Sequence, residues 1–273
     1  MQYVIYTVIL LIFLIAIASG IVALIERRRP KEKKSSGWKR ILVSFLIVLF
    51  LIIIVGAIYF GIYYRGDSTA KKSLESGEIV SVVELNNGYF FDGPSEEQAL
   101  IFYPGAKVEA GAYAPLMYEL AEQWGDCFLV KMPLNMAILD YEAADSIRNE
   151  YHYSRWYIAG HSLGGTSAAL YASEHETDLN GLFLLAAYST KPLENDIMTC
   201  SIYGDQDLVL NKKEYENNRE NLPAGSAEVI ISGGNHAQYG SYGKQRGDGE
   251  ATISAEQQRE EVVQAIKAQT ATE

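Results

Sequence analysis

The chain is poor in the residues that build metal centres and disulfide scaffolds: its 273 residues include two cysteines and four histidines. No C-x-x-C pair and no His/Cys cluster with metal-ligand spacing is present, which argues against a metal site of that kind. Cys127 and Cys200 each lie in an apolar, strand-like run (DCFLVKMP and MTCSIYG) and read as two buried free thiols. A disulfide between them is the alternative for a domain outside the cell. Internal repeats and low-complexity tracts are also missing. The most consequential absence is local: residues 3–25 and 41–64 contain no charged side chain.

Either run can cross the ~30 Å hydrocarbon core as a helix, for which roughly 20 residues suffice. The first has no basic stretch ahead of it and exceeds the roughly 7–15-residue apolar run of a cleaved signal peptide. The two runs together therefore predict a transmembrane hairpin over residues 1–64. Residues 26–40 (ERRRPKEKKSSGWKR) join them, and eight of these fifteen are Lys or Arg. A short loop this basic stays in the cytoplasm, so the N-terminus and everything after Arg65 are expected on the outer face of the cell membrane. Tyr3 and Tyr6 open the first run, and Tyr59, Tyr63 and Tyr64 close the second. A hairpin carries both groups to one interface, where amphipathic rings prefer to sit. Lipid head groups are the expected partner of the basic loop.

From residue 66 onward the balance inverts, with 14 Lys and Arg against 32 Asp and Glu. A domain so acidic is repelled by phosphate backbones, which excludes nucleic acid as a partner. Its length of about 200 residues suffices for one sizeable core. Residues 65–77 are polar without apolar periodicity and read as a linker to a domain over 78–273. Next come two strands, 79–85 and 89–93, joined by Asn86-Asn87-Gly88.

Short apolar runs then alternate with helical patterns. Strands are expected over 99–105, 127–133, 155–162, 181–189, 198–204 and 227–234. Helices are expected over 112–124, 136–152, 163–175, 212–222 and 254–269. This alternation predicts an α/β fold, a mostly parallel sheet covered by helices on both faces. Reactive groups in such a sheet gather at the carboxyl ends of the strands.

At one such end stands Gly160-His161-Ser162-Leu163-Gly164. This G-x-S-x-G spacing suits a serine on a strained strand-to-helix turn, where small flanking residues let the backbone approach itself. A serine hydroxyl is a weak nucleophile and needs a base and an orienting acid. The acid is expected after a later strand, where Gly204-Asp205-Gln206-Asp207 offers two carboxylates. Asp207 is the preferred one, and Asp205 is then a loop-stabilising residue.

His236, in GGNHAQYG just past the last strand, is the expected base. His152 and His175 lie near helix ends and read as solvated, and His161 occupies the variable position of the turn. An oxyanion hole needs two backbone N–H groups. Leu163 supplies one, and Ala106, after Pro104-Gly105, is the expected second. Lys107 beside it reads either as a contact for an anionic substrate or as a solvated loop lysine.

The order Ser162, Asp207, His236 with an oxyanion loop upstream resembles the α/β-hydrolase fold. YPGAKVEAGAYAPL, KMPLNMAILD, WYIAGHSLGG, YGDQD and GGNHAQYGSYGKQRGDGEATIS are similar to a bacterial α/β-hydrolase subfamily related to dienelactone-hydrolase-like enzymes. The resemblance spans about 79–268 and leaves out the apolar hairpin. Dienelactone hydrolases proper use a cysteine nucleophile where this chain has Ser162, so lactone specificity does not carry over. The resemblance implies a Ser-His-Asp triad acting on an ester or thioester, with a small-molecule or cell-envelope acyl substrate and no cofactor. A catalytically idle binding or assembly module at the envelope is the alternative. Only about eight residues (190–197) separate the strand after the elbow helix from the strand before the acid, so no cap domain fits there. The site should be open, bounded by the loops 104–113 and 233–250.

Overall fold

The computed structural model describes residues 2–28, 37–193 and 197–271, with side chains described from Phe13 onward. The chain divides into two units, Met1–Ile62 and Tyr63–Glu273. In the first, α1 (Gln2–Arg28) and α2 (Gly37–Gly61) pack on each other. Leu14, Ala18 and Val22 are buried in α1, four residues apart and so on one helix face. α2 has no buried residue and a mean hydropathy of 3.4 over its most apolar stretch. Its 25 residues rise about 38 Å at 1.5 Å each, and among the described residues it is the one helix long and apolar enough to cross a membrane. Most of the basic loop, residues 29–36, lies outside the described residues, as do the side chains of Tyr3 and Tyr6.

The second unit is built on an eight-stranded mixed sheet in the order β1-β2-β4-β3-β5-β6-β7-β8. β1 (Ser81–Leu85) and β2 (Gly88–Asp92) form a hairpin whose second strand runs antiparallel to β4 (Asp126–Val130). The other pairings are parallel and join β3 (Gln98–Tyr103), β4, β5 (Arg155–His161), β6 (Gly181–Leu185), β7 (Met198–Gly204) and β8 (Ala227–Ile231).

Period-two alternation along continuous apolar strands gives the sheet two dry faces. On one, Leu100, Phe102, Cys127, Leu129, Tyr157 and Phe183 meet α4 (Ala114–Gln123) and α8 (Ala255–Thr270). On the other, Ile101, Tyr103, Phe128, Ile158 and Leu184 meet α5 (Ala144–Glu150) and the small residues of α6 (Leu163–Glu174). Both cysteines are buried and free, and Cys127 donates its Sγ–H to the carbonyl of Gly125.

Four stretches depart from the expectation. The helix expected over 212–222 is α7 (Lys212–Asn217), followed by a 3-10 turn at Arg219–Asn221. The helix expected over 136–152 begins only at Ala144, after 3-10 turns at Pro133–Asn135 and Ala137–Leu139. The cause is tertiary. The hydroxyl of Tyr103 in β3 donates to the carbonyl of Tyr141 (2.7 Å) and accepts the N–H of Ala144 (2.9 Å), capping the helix from another element. The strand expected over 181–189 stops at Leu185, because Ala186 turns to φ 48° while its N–H reaches Ile202.

The segment 65–77 is docked along part of its length. α3 (Ser68–Lys72) is capped by Asp67, whose own N–H donates to Ser241, and Gly66 donates to Glu109. Just ahead of it, Tyr64 bridges Val108, donating to Lys107 and accepting from Glu109. Of the interval 190–197, residues 194–196 lie outside the described residues.

Candidate active site

β5 delivers Ser162 at the edge between strand and helix. Its backbone sits at φ 54° and ψ −125°, a region non-glycine residues avoid, and its N–H is held by the carbonyl of Leu185 (2.9 Å). The turn closes because Gly160 and Gly164 lack side chains. A Cβ on Gly160 would run into the backbone of Gly164, and one on Gly164 into the carbonyls of Tyr103 and Pro104. These contacts are the physical content of the G-x-S-x-G spacing: strand and helix backbones touch.

Sheet register brings the other groups to the same end. Tyr103 pairs with Gly160, so the turn after β3 starts beside His161 and Ser162. That turn runs from Gly105 to Val108, whose N–H returns to the Gly105 carbonyl, with Lys107 at φ 58°. Among the described residues, neither the Ala106 N–H nor the Leu163 N–H is taken by another group. For Leu163 the reason is general, since the first N–H groups of a helix have no partner within it.

Gly204 pairs with Ile231, which sets the loops after β7 and β8 side by side. There the carboxylate of Asp207 accepts the Nδ1–H of His236 at 2.8 Å, with both side chains buried. Its second oxygen accepts the N–H groups of Val209 and Leu210, each at 2.8 Å. A buried carboxylate is tolerable only when bonded in this way. The bond to Asp207 fixes the tautomer of His236, leaving Nε2 as the basic nitrogen. That atom is buried and has no hydrogen-bond partner. Ser162 and His236 line one cleft of about 190 Å³, together with Leu163, Thr166, Ala186, Ala187, Tyr188 and Val209 to Asn211.

Asp205 does different work. It accepts from Gly233 (2.8 Å), Gln206 and Ser232, and the Gly233 N–H holds its carboxyl below the usual range. Of the two candidate acids, Asp207 meets the histidine and Asp205 ties the loops together. His152 and His175 lie away from this cleft. The cleft also differs from its expected borders: none of the residues 104–113, and of 233–250 only His236, line it. The end of β6 and the acid loop form its walls instead. Within the 233–250 loop Tyr239, Ser241 and Tyr242 are buried against other elements, the Tyr239 hydroxyl donating to the Ile202 carbonyl, the Ser241 N–H to that of Ala112, and Tyr242 packing beside Tyr64 and Tyr113.

Two contributions escaped the sequence pattern. Asp248 accepts the N–H groups of His236 (3.2 Å) and Ala237 (2.8 Å), and Gln258 of α8 bonds both the N–H and the carbonyl of Asn235. These groups fix the backbone that carries the histidine. The other is His161, which is buried with its ring 4.4 Å from that of His236 and its Nδ1 2.7 Å from the hydroxyl of Tyr113. A side chain just ahead of an elbow serine carries no periodic signal of its partners, so nothing local could have located either contact.

The sequence model of the alpha/beta hydrolase family matches residues 99–260. No curated protein matches the chain in sequence. Solved structures do match in fold. One is a membrane phospholipase A described as a bacterial virulence factor, at 16% identity and a TM-score of 0.52, covering 86% of this chain and 98% of that one. Alpha/beta hydrolase domain-containing protein 10 from mouse matches at 11% identity and 0.51, covering 71% and 98%. An esterase from Mycobacterium tuberculosis matches at 12% and 0.50, covering 74% and 96%. With the strand order and the family match in agreement, the chain belongs to the alpha/beta hydrolase family and is a hydrolase enzyme.

Proposed function

We propose that the protein is a membrane-anchored serine hydrolase that cleaves a carboxylic ester or thioester by acyl transfer to water. The observation that carries this reading is that His236, held by the buried Asp207, lines one cleft with Ser162 on its strained turn. Ser162 Oγ attacks the carbonyl carbon while its proton passes to Nε2 of His236, and Asp207 stabilises the imidazolium that forms. The tetrahedral oxyanion is held by the N–H groups of Leu163 and Ala106. Collapse expels the alcohol or thiol, which takes the proton from His236. Water, deprotonated by the same nitrogen, then releases the carboxylic acid and restores Ser162.

The substrate is a small-molecule or envelope acyl compound, and neither a cofactor nor nucleic acid takes part. α1 and α2 both span the cell membrane, the basic loop 26–40 lies in the cytoplasm, and the hydrolase unit lies outside. The membrane phospholipase and the esterase among the structural neighbours are consistent with this class of chemistry.

Reaction of the full-length protein with a fluorophosphonate probe tests the chemistry. Labelling of the wild type and none of Ser162→Ala is expected; equal labelling of the two sinks the serine reading. Protease added to intact cells is expected to cleave beyond residue 65, and full protection would invert the topology.

A further inference from the structure

The proposed reaction needs two things held still relative to each other, the oxyanion loop after β3 and the imidazole of His236 after β8. They come from strands separated in the sheet by β5, β6 and β7. Between them, at the tip of β5, lies His161, outside the three proposed triad positions.

Its surroundings are specific. The Gly105 N–H donates to the hydroxyl of Tyr113 (3.1 Å), and that hydroxyl lies 2.7 Å from Nδ1 of His161. Burial pushes the Tyr113 phenol well up, so it keeps its proton. The Gly105 N–H already donates to that oxygen, and among the described residues Nδ1 of His161 is the acceptor within reach of the phenolic proton. Burial first, and the neighbouring His236 second, push the His161 imidazole well below the usual histidine range. Of these two rings, 4.4 Å apart, His236 is the one with a carboxylate beside it. The fit at Gly105 is tight, since a Cβ there would lie 2.9 Å from both Nδ1 of His161 and the hydroxyl of Tyr113.

We propose that His161 and Tyr113 are positioning residues that tie the oxyanion loop at Gly105 to the ring of His236 without touching substrate. The role rests on the serine-hydrolase reading above. Tyr113 fixes the residue directly before Ala106, so the Ala106 N–H keeps its aim. His161 passes that constraint to the base through ring packing. Hydrogen-bond donors aimed in advance at a developing charge contribute more than donors that must reorient. A small displacement of this loop should thus lower turnover and leave substrate binding nearly unchanged.

The test uses full-length protein in detergent, p-nitrophenyl butyrate as the probe substrate, and active sites counted by fluorophosphonate titration. Tyr113→Phe removes one hydroxyl and keeps the ring. His161→Phe keeps a ring and removes the acceptor, whereas His161→Asn sets an amide oxygen near the place of Nδ1. The first two variants are expected to lose about 10- to 100-fold in kcat per titrated site with KM within about 3-fold. Their double variant should fare little worse than either alone, because they break one relay. His161→Asn should recover much of the loss.

Wild-type kcat per titrated site in both Phe variants overturns the proposal while Ser162 labelling leaves the serine-hydrolase reading standing. So does a loss explained wholly by fewer titratable sites or a lowered melting temperature. Absence of Ser162-dependent labelling in the wild type overturns that reading, and the positioning role with it.

Discussion

α2 has no buried residue, whereas the hydrolase unit buries Asp207, His236, Gln258 and Arg259 at under 10% exposure. One region exposes what water disfavours, and the other encloses what water would solvate. Each arrangement is stable for a stated reason. An apolar helix of 25 residues satisfies its backbone internally and is long and apolar enough to lie in a hydrocarbon surrounding. A buried polar group needs partners, and each of these four has them: Val209, Leu210 and His236 for Asp207, Asn235 for Gln258, Glu119 for Arg259. The contrast teaches that burial alone does not mark a functional residue. Among these four, only His236, bonded to Asp207, lines a cleft that also contains a serine on a strained backbone.

The sharpest way to break the polar side of this comparison is Ser162→Ala. It should lower kcat on p-nitrophenyl butyrate by about 10⁵-fold or more without changing the melting temperature by more than a few degrees. Asp207→Asn keeps the shape and removes the charge that orients His236, so a loss of about 10³- to 10⁴-fold is expected. Asp207→Ala should also destabilise, by about 1–3 kcal/mol for each buried N–H left without an acceptor, read as a drop in melting temperature.

The apolar side breaks with Leu49→Arg at the middle of α2. A charge there costs about 2.5–3.5 kcal/mol, roughly a 100-fold shift in insertion measured with a glycosylation reporter in microsomes. Ser162 labelling per folded molecule should not change, since that helix carries no part of the cleft.

A smaller effect follows from His161. Its folded pKa lies below the unfolded value near 6.5, so the unfolded chain binds the proton first as pH falls. Its contribution is complete above about pH 6.5 and is lost below it, at up to about 1.4 kcal/mol per pH unit, until the folded pKa is reached. His161 is surrounded by the rings of His236, Tyr113 and Tyr239, with Asp207 beyond His236. Melting curves between pH 7.5 and 5 should slope more steeply for the wild type than for His161→Phe. The smallest effect concerns the thiols. Burial pushes Cys200 up to about 12 and Cys127 well above the usual thiol range, so a maleimide should label neither in the folded protein at pH 7.

Much of the hydrolase unit was legible in the sequence because its signals are local. Continuous apolar runs marked every strand from β3 to β8 within a few residues, and glycine spacing marked the elbow. Strand order along the chain made Asp207 and His236 candidates, since loops after neighbouring strands emerge together. What escaped was decided by groups far apart in sequence. The first half of the expected helix over 136–152 is lost to the hydroxyl of Tyr103. The polar segment after α2 has too little apolar periodicity to announce α3, and bonds to Glu109, Ser241 and Val82 hold it down together with the burial of Ala70 and the packing of Leu74 on the core. The choice between Asp205 and Asp207 turned on which carboxylate faces an imidazole and which faces the Gly233 N–H.

By itself the sequence determined the layered α/β architecture, the strained serine turn and the two apolar runs, because hydropathy period and glycine sterics act within a few residues. Only the tertiary structure decided which carboxylate meets His236, that Asp248 and Gln258 fix its backbone, and that His161 lies between His236 and the loop at Gly105. Hydrogen bonds and ring packing depend on where separate strands end. Those ends are brought together by sheet register, which no short stretch of chain specifies alone.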